Sequence, residues 1–304
     1  MKLLVSVLTV ITGVIISFQA SAQIPVEINK KIVTMSKGDQ PAFIVEIPQT
    51  TSGNLKKSWM KYIRQNTKSK VSEENNEIVI LSTQINQISD KPFNIYSAIY
   101  QIDSAVKLVS LFEIDSSFFS FDGDKEDMNY ERTYQGIMHF LHDFAVSEYK
   151  KAVGQELKAE GKELKALNGN LEKLVKQTDS FQKEVKQNES DSLNAEAQIK
   201  SLENDKQRKQ AEIDSKKESM SSITGDKELL NEAKKNLKSL EKQRKKIEKE
   251  IDKYKAKIVE YHSENVEIKR SIEENNKQKE ELLLSIHAQQ EIVKEVTGKL
   301  ENIK

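Results

Sequence analysis

Two histidines and an aspartate near the middle of the chain form the cluster that most resembles a metal site. His139, His142 and Asp143 fall in a helical pattern, so that 139 and 143 share a helix face and 139 and 142 are neighbours. Zinc accepts imidazole and carboxylate ligands, but it usually needs a further ligand from elsewhere in the fold, and the sequence identifies none. We therefore favour exposed polar residues on a helix that packs through Met138 and Leu141, and we predict no metal and no cofactor.

An acidic run, Asp122-Gly123-Asp124-Lys125-Glu126-Asp127, resembles a calcium-binding loop. It departs from the EF-hand pattern because Asp127 stands where glycine is needed and Thr133 stands at the closing acidic position. A solvated acidic turn before a helix is the prediction that fits this composition better.

The motifs of common enzyme classes are missing from the sequence. It contains no Gly-x-Ser-x-Gly, no His-Glu-x-x-His, no phosphate loop and no dinucleotide-binding fingerprint. His262 and His287 stand in a charged, helical stretch far from any candidate partner. We therefore predict that the protein is not an enzyme.

Residues 150–304 are predicted to form a long antiparallel coiled-coil hairpin. Apolar residues recur every three and then four positions along two runs, 153–223 and 230–303, which is the heptad pattern of a coiled coil. Leu157 is an a position in the first run and Leu230 is an a position in the second, so the register changes between the runs.

The change of register falls in a segment suited to a turn, residues 224–229. Gly225 can take the left-handed conformation that ends a helix, and Asp226 is a good N-cap for the next one. One continuous helix with a three-residue discontinuity at Gly225, paired with a second chain, is the alternative. The matched lengths of the two runs favour the hairpin.

Folding the chain at this turn pairs positions whose residue numbers add up to 453, and every a position then meets a d position. Polar residues also align, with Asn188 opposite Asn265 and Thr178 opposite Asn275. A buried Asn pair weakens the seam but fixes its register, because any slip leaves the amides unpaired. Lys209 would face Arg244, and this layer is predicted to be the weakest.

The composition indicates long solvated helices rather than a large globular core. Lys and Arg total 48 and Asp and Glu total 48, so no net charge attracts nucleic acid or an anionic membrane. Charged residues make up 32% of the chain and aromatic residues 6%. There is no Cys, which excludes disulfides, thiolate metal sites and Cys nucleophiles.

Residues 1–22 read as a cleavable signal peptide. One basic residue precedes an apolar run that ends in Ala20-Ser21-Ala22, which predicts cleavage before Gln23. An uncleaved anchor is the alternative, although the apolar run is short for a membrane span. No later segment is apolar for long enough to cross a bilayer as a helix. We expect an exported, periplasmic or cell-surface protein of a Gram-negative bacterium.

Residues 23–129 are predicted to form a small α+β head, an antiparallel sheet with a cover helix. Strands are expected at residues 31–35, 43–47, 77–85, 93–102 and 105–114, with a helix at 54–68, a turn at 36–41 and a possible edge strand at 117–121. The helix should cover one face of the sheet, and the start of the long helix or a second subunit should cover the other. Residues 130–149 are predicted to connect head and coil.

These patterns favour a non-enzymatic envelope protein that presents a head on a rigid hairpin, as a scaffold, spacer or adhesion module. The alternative is a holdase-type chaperone, because the general plan resembles periplasmic chaperones that hold clients between helical arms. Protein partners and a possible homo-oligomer are expected.

Overall fold

The computed structural model describes residues 26–103 and 105–304, and the predicted signal peptide lies outside this range. It confirms the predicted fold class, because an antiparallel sheet with a cover helix is followed by two long helices that fold back on each other. The chain divides into two compact units: the head with the adjoining helix ends, up to Glu163 and from Gln289, and the segment Leu164–Ala288.

The head contains a seven-stranded antiparallel sheet in the order β1-β2-β6-β5-β4-β3, with β7 paired to β6. The strands are β1 (Ile28–Met35), β2 (Gly38–Pro48), β3 (Val71–Glu74), β4 (Glu77–Thr83), β5 (Phe93–Ile102), β6 (Ala105–Ile114) and β7 (Ser117–Phe118). The helices are α1 (Ser52–Asn66), α2 (Met128–Ser221) and α3 (Lys227–Asn302). The predicted edge strand at 117–121 is only two residues long.

Tight turns fix the pairing of neighbouring strands. Asn75 and Asn76 both have positive φ, 51° and 65°, as a two-residue hairpin turn requires, and they join β3 to β4. The sequence analysis missed β3 because its four residues carry one apolar side chain that becomes buried. The predicted turn at 36–41 was too long: β2 already begins at Gly38, which has a φ of 78°.

The main core lies on one face of the sheet and is closed by α1 and the beginning of α2. Its central aromatic residue is Trp59, whose ring centroid is 4.7 Å from that of Phe144 and 5.7 Å from that of Phe140. Beneath them, Ser97 and Ser110 share a buried hydrogen bond of 3.0 Å across β5 and β6. The prediction that the start of the long helix could cover the opposite face was wrong, because α1 and α2 pack into the same core.

The opposite face of the sheet carries a second, smaller core, which the β1–β2 turn helps to close. Its buried residues are Ala42, Ile44, Val79, Tyr96, Val109 and Leu111. The backbone N–H of Ser36 donates to the Glu77 carboxylate at 2.8 Å, and the Ser36 hydroxyl donates to the same group at 2.5 Å. Lys37 Nζ lies 5.1 Å from the centre of the Tyr96 ring. The turn therefore reaches across the sheet to β4.

The three phenylalanines after β6 do not form one surface patch. Phe119 and Phe121 pack against the main core, whereas Phe118 packs against the second core. The Phe119 ring stacks on Tyr130 at a centroid distance of 5.0 Å. The three rings therefore contribute to the packing of the core and of the sheet edge.

The last turns of α3 belong to the core of the head. Val296 and Ile303 are each 6% exposed and lie in the same cluster as Val153 at the base of α2. Lys299 Nζ is 3.3 Å from Glu156 Oε2, and Gln289 Nε2 donates to Glu160 Oε2 at 2.6 Å. The core of the head therefore extends beyond the predicted boundaries at residues 129 and 149 and includes the C-terminal end of the chain.

Candidate functional site

The predicted seam is the most regular feature of the segment Leu164–Ala288. Every a and d position from Leu164 to Ile223 and from Leu230 to Ile286 is buried or half-buried, while most other positions are exposed. The heptad frame derived from the sequence therefore describes the packing of the two arms. The alternative of one continuous helix was wrong, because α2 ends at Ser221 and α3 begins at Lys227.

The predicted Asn pair lies inside this seam. Asn188 Nδ2 donates to Asn265 Oδ1 at 3.1 Å and lies 3.2 Å from Glu264 Oε2. The side chains are only 8% and 6% exposed. Because Asn188 donates this buried hydrogen bond to Asn265 across the arms, the pair favours one alignment of the hairpin.

The layer of Thr178 and Asn275 differs from the Asn pair although both of its members are buried. The Thr178 hydroxyl donates to the carbonyl of Leu174 in its own helix at 2.8 Å. Asn275 Nδ2 is buried and has no hydrogen-bond partner among the residues that the structure describes. This layer therefore carries the energetic penalty of an unpaired amide and contributes less to the choice of register.

The two residues predicted to form the turn, Gly225 and Asp226, lie between the end of α2 and the beginning of α3. Gly225 has a φ of 86°, in the left-handed region that favours glycine. Asp226 caps α3, since its carboxylate accepts from the backbone N–H of Leu229 at 3.0 Å. The turn covers residues 222–226, slightly earlier than the predicted 224–229.

Three basic residues of the seam, Lys206, Lys209 and Arg244, each contact a neighbouring polar group. Lys206 Nζ is 3.1 Å from Glu248, and Lys209 Nζ is 2.7 Å from Glu212 in its own helix. The Arg244 guanidinium donates to Gln210 at 2.5 Å. The hydrogen bond from Lys206 holds the pKa of Glu248 below its usual value. The like charges of Lys209 and Arg244 are therefore each given a polar neighbour.

The predicted metal candidates remain near one another on α2 but do not converge with a further ligand. His139 and Asp143 are exposed, and His142 is half-buried. His139 Nδ1 lies 2.8 Å from the backbone carbonyl of Gln135. Among residues 26–103 and 105–304, no group of three His, Asp or Glu side chains is arranged to hold a metal ion.

Two tyrosines of the head have strongly perturbed acidity. Burial, followed by the charge of Asp143, raises the pKa of Tyr62 to about 12. Burial and the hydrogen bond from its hydroxyl to Glu113, at 3.0 Å, raise the pKa of Tyr96 to about 12. Both shifts favour the neutral phenol, so these groups act as hydrogen-bond donors in the packing of the head and not as bases.

One flank of the hairpin carries exposed apolar side chains that the sequence analysis did not single out. We call Val175, Leu193, Val259, Val266 and Leu283 the apolar flank; they are between 41% and 68% exposed. All occupy e or b positions, and e positions of the two arms meet on one side of the seam, as Glu189 and Lys269 do at 3.8 Å. The heptad frame was the signal that could have identified this flank.

A shallow depression of about 280 Å³ lies beside the turn. Its lining includes Lys216, Ile223, Leu229 and Glu232. The lining also includes Ser219, whose hydroxyl donates to the backbone carbonyl of Lys216 at 2.9 Å. The depression is suited to contact with a side chain of another protein more than to catalysis.

No protein-family model, no curated protein and no solved structure matches this chain. Among the helices that the structure describes, none combines the length and the hydropathy that a membrane span requires.

Proposed function

We propose that this chain is an exported, non-enzymatic envelope protein whose hairpin serves as a scaffold or spacer that presents the head to a protein partner. The observation that carries the proposal is that the a and d positions of the two arms are buried or half-buried in the seam between them. Every a and d layer between Leu164 and Ile286 is used inside the chain. A coiled coil whose apolar stripe is buried between its own two arms does not need a second chain to cover that stripe.

Features outside the hairpin support the same proposal. The head is built around two hydrophobic cores, one on each face of the sheet. The predicted signal peptide supplies the expectation of export, and the Ala20-x-Ala22 site predicts a mature chain that begins at Gln23. Intact-mass measurement of the exported protein tests the processing step; retention of residues 1–22 would remove that part of the proposal.

A photo-crosslinking experiment in the native cell tests the scaffold proposal. A photoreactive amino acid is placed at Tyr100, an exposed head position, or at Leu229 beside the turn, where the side chains are 49% and 51% exposed. A scaffold should give one or a few discrete crosslinked bands at one of these positions. A matched position on a charged outer face, Lys183, serves as the control and should give none.

The apolar flank favours a second candidate, the holdase-type chaperone. Exposed apolar side chains of this size can bind an unfolded chain. The flank is not continuous, because charged residues such as Lys186 and Glu273 lie between its members. A holdase at stoichiometric amounts should suppress the aggregation of an unfolded outer-membrane protein. The triple variant Leu193→Ser, Val259→Ser and Val266→Ser should abolish that protection.

The two candidates differ in the pattern that each experiment gives. A scaffold shows no protection in the aggregation assay and discrete crosslinks in the cell. A holdase shows protection that depends on the apolar flank and a broad distribution of crosslinked clients. Protection that survives the triple variant would contradict the proposed role of the flank.

A further inference from the structure

The overall charge balance of the chain conceals one strongly basic segment in the head. Between Glu46 and Glu73 the sequence holds six basic residues and no acidic residue. They are Lys56, Lys57, Lys61, Arg64, Lys68 and Lys70. The rest of the chain therefore has an excess of six acidic residues, and net charge alone does not describe the surface of α1.

Helix α1 arranges most of this charge on its outer face. Lys57, Lys61 and Arg64 follow one another at spacings of four and three residues, and Lys68 follows the C-cap residue Thr67. All four side chains are exposed, while Leu55, Trp59 and Ile63 on the opposite face are fully buried. We call Lys57, Lys61, Arg64 and Lys68 the basic stripe.

The basic stripe is not balanced by nearby carboxylates. Among the described residues, none of its four side chains has an ion-pair partner within 4.0 Å. Two acidic groups near α1 pair with other lysines: Glu73 with Lys56 at 2.5 Å, and Glu148 with Lys151 at 3.4 Å.

This arrangement is unfavourable for the isolated helix. Like charges three and four residues apart repel one another, and most exposed helices relieve this with acidic partners at the same spacing. Only Arg64 gains from its position in the last turn, where the helix dipole favours a cation. Helix stability therefore does not account for the stripe as a whole.

We propose that the basic stripe binds the phosphate-bearing surface of an anionic lipid membrane. Lys57, Lys61 and Arg64 lie along one exposed face of α1 and Lys68 follows the end of the helix, and the long lysine stems can adapt to a flat surface. The stripe has no aromatic residue among its exposed members that could stack on a base or a sugar ring. Because the apolar face of α1 is buried in the core, the contact is electrostatic and peripheral, without insertion of the helix.

Vesicle flotation tests the proposal with the predicted mature chain, Gln23–Lys304, since the apolar segment 3–18 would itself bind lipid. The probe is a vesicle of phosphatidylglycerol and phosphatidylcholine, compared with phosphatidylcholine alone. The protein should float only with the anionic vesicles at low salt and should be released at high salt. Each basic side chain near such a surface contributes about fivefold in partition coefficient, so the four together contribute several hundredfold.

The decisive variant replaces Lys57, Lys61, Arg64 and Lys68 with glutamine, and it should lose this several-hundredfold binding. The matched control replaces Lys235, Lys238, Lys242 and Lys245 of α3, which are equally exposed, with glutamine. The control has the same change in net charge and should bind like the wild type. Thermal unfolding monitored through Trp59 should be unchanged or slightly raised in the stripe variant, because a repulsive row of charges has been removed.

Three results would overturn the proposal. The wild type could fail to float with anionic vesicles at low salt, or the control variant could lose binding to the same extent as the stripe variant. The third is a competition result. If a soluble polyanion such as heparin, at equal charge concentration, releases the protein completely from the vesicles, the ligand of the basic stripe is a polyanion and not the membrane.

Discussion

The two polar layers of the hairpin respond in opposite ways to the same substitution, Asn to Leu. In Asn265→Leu, the Asn188 amide loses Asn265 Oδ1, which accepts its hydrogen bond at 3.1 Å, and keeps only Glu264 Oε2 at 3.2 Å, so part of its hydrogen-bonding capacity stays buried and unpaired. Leaving a buried polar group unpaired costs about 1–3 kcal/mol, which offsets the apolar burial that the new leucine adds. The variant should lose about 1 kcal/mol of stability.

In Asn275→Leu, the removed amide has no partner in the first place. The substitution therefore ends a desolvation penalty and adds apolar contact, and it should raise the stability by about 1–2 kcal/mol. The Thr178 hydroxyl keeps its bond to Leu174 in either case. Asn275→Leu is thus the matched control for Asn265→Leu, with the same residue types at seam positions ten residues apart.

The double variant Asn188→Leu, Asn265→Leu removes both amides and should be more stable than the wild type by about 2 kcal/mol. Urea unfolding followed by far-UV circular dichroism measures all of these variants, because the two long helices dominate the signal. If the effects of Asn188→Leu and Asn265→Leu add within about 0.5 kcal/mol, the two residues are not coupled and the argument is refuted. A destabilised Asn275→Leu would contradict the account of its unpaired amide.

Three further predictions concern the ends of the hairpin and the head. A chain shortened by residues 289–304 loses the burial of Val296 and Ile303, which contributes about 3–6 kcal/mol to the stability of the head. The unfolding transition followed by Trp59 fluorescence should therefore shift to lower temperature. An unchanged transition would show that the head does not need the C-terminal helix end. The pKa values of Tyr62 and Tyr96 are higher in the folded state than the usual value of 10. The free energy that these two groups contribute to stability is therefore complete below about pH 10 and is lost as the pH rises toward 12. Tyrosinate absorbance should accordingly show late titration of Tyr62 and Tyr96, and Tyr62→Phe should remove one of these two late steps. Spin labels at Ser180 and Ser271 should report a short distance that persists when labelled protein is diluted with unlabelled protein, because the Asn188–Asn265 bond is formed within one chain; a distance that vanishes on dilution would mean pairing between chains.

The heptad frame was predictable because it depends only on apolar residue types that recur at a fixed spacing. Position 230 restarts the frame, and Gly225 and Asp226 have the conformational preferences of a helix stop and a helix start. Helix α1 and strands β5 and β6 were equally accessible, since apolar spacing and the Thr51 cap mark them directly. In each of these cases a local pattern determines the local structure.

The features that escaped prediction depend on contacts between distant parts of the chain. The hydrogen bond between Ser36 and Glu77 helps to close the second core, but neither residue type indicates a partner 41 positions away in the sequence. Val296 and Ile303 occupy seam positions, and a seam position has the same sequence pattern whether it meets a helix or the core of the head. The apolar flank was visible in the frame, yet an exposed valine or leucine alone does not indicate a function.

The burial of Val296 and Ile303 beside Val153 also sets the order in which the chain can fold. The sheet and α1 are synthesised early, but the last part of their core arrives 150 positions after Val153, with Ile303. At roughly 5–20 residues per second this is a delay of about 8–30 s during synthesis. Throughout that interval Val153 and its neighbours stay exposed to solvent or to chaperones. The head therefore reaches its final stability only after Ile303 has been synthesised.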